Sequence, residues 1–129
     1  MIAIIDYGMA NLRSVQKACE YLGFPAEITD RPERIAAADH VILPGVGAFR
    51  DAMTRLTETG LDRAALDAAH GGTPLLGICL GMQLMFDASE ENGHYRGLGL
   101  FPGTITRFPD CGLKIPHMGW NTLQTRACP

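Results

Sequence analysis

The chain opens on four apolar residues, Ile2-Ala-Ile-Ile5, that stop at Asp6. A run this short and without polar alternation predicts a strand covered on both faces, as in a parallel sheet. Leu12, Val15, Cys19 and Leu22 then recur at helical spacing. They lie between Asn11, a side chain able to cap a helix, and Gly23, a residue suited to ending one. Ala26 to Thr29 and His40 to Leu43 predict two further strands, the second entering a turn at Pro44-Gly-Val-Gly47. Phe49, Met53 and Leu56, then Leu61, Ala65 and Leu66, mark helical stretches ending at Gly71-Gly72, after which Pro74-Leu-Leu-Gly-Ile78 reads as another buried strand. Strand and helix alternate. The expected fold is therefore α/β with a mostly parallel sheet flanked by helices, in one domain over residues 1–129.

Beyond Asn92 glycine and proline become frequent and the apolar runs shorten around Ile105, Phe108 and Leu113 to Ile115, which predicts strands and turns. Thr122 to Pro129 reads as a strand still in progress, with neither polar tail nor closing helix. That is the pattern expected of a fold incomplete at its C-terminus.

Composition narrows the classes. Hydrophobic residues at 47% and charged residues at 19% fit a folded globular chain. Eleven basic against fourteen acidic side chains give a net charge of −3 with no basic run, which argues against a nucleic-acid partner. The N-terminus has no basic leader, and its apolar run is too short for a signal peptide or a membrane span, so a cytoplasmic protein with no membrane partner is expected. In that compartment Cys19, Cys79, Cys111 and Cys128 are expected as free thiols, and no Cys-x-x-Cys pair supports a metal site. Gly8-Met9-Ala10-Asn11 lacks the spacing of a dinucleotide fingerprint, and no cofactor is expected.

The chemistry concentrates at Gly77-Ile78-Cys79-Leu80-Gly81, which follows an apolar strand and precedes a helical run with Met82, Met85 and Phe86. A sharp strand-to-helix turn that exposes its central side chain needs small flanking residues, and glycine stands on both sides. A helix N-terminus favours negative charge, and the Leu80 amide can face a developing oxyanion. The plainer reading of Cys79 is a buried thiol at a tight turn. Pro44-Gly45-Val46-Gly47 ends a strand where open α/β sheets hold ligands, and it offers a second oxyanion donor; alone it is equally a simple turn.

Five stretches carry a resemblance: Asp6-Tyr-Gly-Met-Ala-Asn-Leu12, Leu43-Pro-Gly-Val-Gly-Ala-Phe49, Gly77-Ile-Cys-Leu-Gly-Met-Gln83, Gly97-Leu-Gly-Leu-Phe-Pro-Gly103 and Lys114-Ile-Pro-His-Met-Gly-Trp-Asn121. Together they resemble class I glutamine amidotransferases, and among these the glutaminase subunits of imidazole glycerol phosphate synthases in histidine biosynthesis. The resemblance implies that Cys79 attacks the glutamine carboxamide, forms a glutamyl thioester and releases ammonia to a barrel-shaped synthase (cyclase) subunit in a heterodimer. It implies oxyanion amides from Leu80 and from Gly45, Val46 and Gly47, and substrate contact from Gln83. Asn11 and the loop Pro116, His117, Met118, Gly119, Trp120 and Asn121 are implied to face the synthase subunit. Against these roles, Gln83 reads otherwise as an exposed helix residue and Trp120 as a partly buried core aromatic.

Two departures stand out. Ala10 occupies a position where the family usually has glycine. The family's His-x-Glu pair is also absent: none of His40, His70, His94 and His117 is followed two places later by a carboxylate. A Cys hydrolase needs such a base and acid, so these residues are expected to be inactive alone. The competing readings are another class I glutaminase, such as that of anthranilate synthesis, which shares the elbow but not the Pro116 to Asn121 loop, and a non-catalytic binding or scaffold module.

Overall fold

A computed structural model describes residues 1–126. Its elements are β1 (Ile2–Ile5), α1 (Leu12–Tyr21), β2 (Ala26–Thr29), α2 (Pro32–Ala36), β3 (His40–Gly45), α3 (Phe49–Thr59), α4 (Leu61–His70), β4 (Leu75–Cys79), α5 (Leu80–Leu84), β5 (Phe86–Ser89), β6 (Tyr95–Arg96) and β7 (Phe101–Ile105). The first four strands form a parallel sheet in the order β2-β1-β3-β4, so the apolar N-terminal run is an inner strand, as its pattern demands. On one face Ala3, Ile5, Val41 and Leu43 meet Ile35 of α2, Phe49, Ala52 and Leu56 of α3, and Leu61 and Ala65 of α4 in one buried cluster. On the other face α1 covers the β1–β2 side, where the Gln16 amide donates to the Ala26 carbonyl at 3.0 Å. A small second sheet, β6-β5-β7, follows, with β5 antiparallel to β6 and parallel to β7.

The structure corrects the sequence reading in six places, the first being β4, which is an edge strand with Leu76 and Ile78 exposed and not the buried strand expected at Pro74 to Ile78. The one-turn helix α2 is too short to show a period; it forms because Pro32 starts it, Ile35 is fully buried and Arg34 pairs with Glu27 of β2. Strand β3 runs on through Pro44 and Gly45, so the turn begins only at Val46. Proline is tolerated there because the ladder with β1 stops at Ile42, leaving no partner on that side for the N–H that proline lacks. The helix after Cys79 ends at Leu84, and Phe86 enters β5 and meets Phe101 of β7 with ring centroids 5.8 Å apart. Asn11 takes the N-cap position of α1 but makes no side-chain cap hydrogen bond. Residues 106–126 hold no helix or strand and are all exposed, so the strand expected from Thr122 is not formed among the described residues. Backbone there has no neighbouring strand to pair with. The rest of that expectation, with Cys128, lies outside the described residues.

Candidate functional site

Parallel strands bring their carboxyl ends to one edge of the sheet. There the β1–α1 loop (residues 6–11), the turn after β3 and the junction between β4 and α5 converge. Gly45 is in register with Cys79, which places the root of the glycine turn beside the nucleophile candidate.

Cys79 has φ 55° and ψ −118°, one of two non-glycine residues with positive φ among those described. Such backbone costs on the order of 1 to 3 kcal/mol and persists only where the surroundings enforce it. The flanking glycines show how. A Cβ on Gly81 would lie 1.8 Å from the Leu43 carbonyl oxygen, and one on Gly77 would lie 2.6 Å from Cα of Met82. Helix α5 therefore rests directly on β3 and folds tightly back over β4. The chain can reverse only if the residue between the glycines takes the strained turn, and that residue's thiol ends exposed. Glycine at 77 and 81 is a steric requirement of the elbow.

The turn after β3 is fastened to the β1–α1 loop. Tyr7 Oη donates to the Pro44 carbonyl at 2.9 Å, and the Val46 N–H donates to the Met9 carbonyl at 2.9 Å. The Val46 amide is thus committed within the fold. Within the loop, the Gly8 N–H closes a turn onto the Asp6 carboxylate at 3.0 Å. Ala10 lies outside the positive-φ region, so alanine is accommodated there without strain. At the start of α3 the Phe49 N–H donates to the Glu91 carboxylate at 2.8 Å, which ties the residues after the glycine turn to the second sheet.

Leu80 is buried and opens α5, and half-buried Gln83 stands one helical turn beyond Cys79. Asn11 is exposed, and so are all of Pro116 to Asn121; Trp120 projects fully into solvent and is not part of the core formed by the described residues. The structure does not bring that loop into hydrogen-bonded contact with the elbow. His40 and His70 stand near the amino ends of β3 and β4, the opposite edge of the sheet from Cys79. Cys79 is a free, exposed thiol among the described residues. An open apolar trough of about 700 Å³ lined by Ile2, Phe24, His40, Ile42 and Leu76 also lies toward the amino ends, away from the reacting edge.

Two contributors were missed in the sequence. Tyr7 is 2% exposed, and burial first, then the charge of Cys79, push its phenol up to about 12. A phenol directly past a buried strand was the available signal. Glu91 gave none, because its contact with Phe49 spans 42 residues.

The family model for "Glutamine amidotransferase class-I" matches residues 3–127. Proteins named imidazole glycerol phosphate synthase subunit HisH are similar over nearly the whole chain. That of Desulfitobacterium hafniense (strain DSM 10664 / DCB-2) is 56% identical over 129 residues, covering 99% of this chain and 61% of the relative. That of Moorella thermoacetica is 59% identical over 123 residues, covering 95% and 58%. The chain thus spans about three fifths of the length of the curated relatives it matches. A solved structure described as a glutamine amidotransferase shares the fold with TM-score 0.69 at 18% identity, over 83% of this chain and 57% of that one.

Proposed function

Because the chain belongs to the class I glutamine amidotransferase family, we propose that it carries the nucleophile half of the glutaminase of an imidazole glycerol phosphate synthase, with Cys79 attacking glutamine. The observation behind this reading is the backbone at Cys79: a strained, exposed thiol between two glycines that cannot carry a Cβ. In the proposed reaction Cys79 Sγ adds to the carboxamide carbon and the carbonyl oxygen becomes an oxyanion facing the Leu80 amide and the glycine turn. The C–N bond then breaks as nitrogen takes a proton and leaves as ammonia. Water next adds to the thioester, giving glutamate and restoring the thiol.

Protonating ammonia and activating water are acid and base tasks worth about 10² to 10⁴ in rate. The family's His-x-Glu pair is not among these 129 residues. Gln83, on the same helix as Leu80, would contact the substrate. Ammonia would pass to a barrel-shaped synthase subunit docked on Asn11 and on Pro116 to Asn121, a docking surface proposed from the family resemblance of that loop. A cytoplasmic setting fits the absence of any helix long and apolar enough to cross a membrane among the described residues.

The test is glutamate release by these residues joined to the remaining two fifths of the Desulfitobacterium relative, with the synthase subunit present and Cys79→Ala as blank. Release that depends on Cys79 is expected. Equal release from the blank would overturn the reading.

A further inference from the structure

The phenol of Tyr7 is almost wholly buried, yet its oxygen lies at the reacting edge, donating to the Pro44 carbonyl at 2.9 Å. The Pro44 carbonyl and the Gly45 N–H belong to one planar trans peptide, so holding one end fixes the direction of the other. Strands β1 and β4 flank β3 on opposite sides. A carbonyl turned toward Tyr7, past the end of β1, therefore sends the Gly45 N–H toward β4, where Gly45 is in register with Cys79. The space is closely filled: a Cβ on Gly45 would lie 2.6 Å from the Tyr7 phenol oxygen and 2.8 Å from the Gly81 amide nitrogen. The β1–β3 ladder ends at Ile42 and offers the Pro44 carbonyl no partner, which leaves that role to Tyr7.

We infer that Tyr7 is a positioning residue for the Cys79 site, its phenol fixing the Pro44–Gly45 peptide at the root of the Gly45 to Gly47 turn. Its catalytic meaning rests on the glutaminase reading; the fixing of the peptide does not. Burial and the charge of Cys79, which push the phenol up to about 12, keep its proton in place, so it remains a donor at neutral and moderately alkaline pH.

Tyr7→Phe in the 129-residue chain removes one oxygen and keeps the ring, and two measurements read the result. In amide hydrogen exchange by NMR, Gly45 and Val46 should exchange roughly fivefold faster, the loss of about one hydrogen bond, while Ile4 and Ile42 keep their rates. Equal acceleration along β1 and β3 would mean a merely structural tyrosine, and no change at Gly45 and Val46 would mean no fixing; either overturns the inference. In the second measurement, alkylation of Cys79 by a glutamine-like chloroketone should slow by a similar factor while alkylation by iodoacetamide does not. A faster exchange with an unchanged chloroketone rate would remove the positioning role. If the unsubstituted chain shows no preference of the chloroketone for Cys79, the glutaminase reading fails while the exchange result still decides the fixing of the peptide.

Discussion

Gly81 and Leu43 are in backbone contact across the elbow: a methyl group on Gly81 would sit 1.8 Å from the Leu43 carbonyl oxygen. No side-chain rearrangement relieves a clash with backbone. Gly81→Ala should therefore cost about 3 kcal/mol or more in denaturant unfolding, at or above the upper range for overpacking. Gly72→Ala is the comparison, since its φ of +85° is strained for alanine but nothing lies within 4 Å of the added carbon. It should cost only about 1 kcal/mol. Equal losses would show that α5 does not rest on β3.

The buried phenol of Tyr7 gives stability a dependence on alkaline pH. Its value rises from 10.0 to about 12 in the folded chain, so the unfolded chain releases this proton first. The contribution is fully present below pH 10.0 and is lost as pH rises toward about 12. Its size is at most roughly 3 kcal/mol by linkage. Unfolding free energies measured over that range should fall more steeply for the native chain than for Tyr7→Phe. Parallel curves would mean the phenol is solvated.

Trp120 stands free of the folded domain. Trp120→Ala should leave the melting temperature unchanged while weakening binding to the synthase subunit by roughly 2 kcal/mol or more in calorimetry, the loss typical of an aromatic anchor. Unchanged affinity would remove the loop from the proposed interface.

Much of this architecture was legible in the residues. Ile2 to Ile5 and Val41 to Leu43 are apolar runs that form the inner strands β1 and β3, and of the predicted stripe Phe49 and Leu56 are buried with Met53 half-buried beside them, whereas the run at Leu75 to Ile78 forms an edge strand with Leu76 and Ile78 exposed. The elbow was legible because its requirement is local: two glycines, one thiol, one chain reversal. What escaped depends on distant partners. The α2 turn draws its order from Ile35 and the Arg34–Glu27 pair, and Phe86 becomes strand because Phe101 lies opposite. Tyr7 bonds to a carbonyl 37 residues away, which no local pattern encodes. The commitment of the Val46 amide to Met9 is equally non-local and shows that a glycine turn can have the right position with one of its donors already used.

The central claim is that Cys79 is placed by the fold to react with a glutamine carboxamide, and exposure alone cannot establish this, since Cys111 is exposed too. The direct measurement is mass spectrometry of the chain after brief treatment with a glutamine-like electrophile, with and without excess glutamine. The adduct should form first on Cys79, ahead of half-buried Cys19, of exposed Cys111, and of Cys128, which lies outside the described residues, and glutamine should slow it at Cys79 alone. Labelling that favours Cys111, or that glutamine leaves untouched at Cys79, would contradict it.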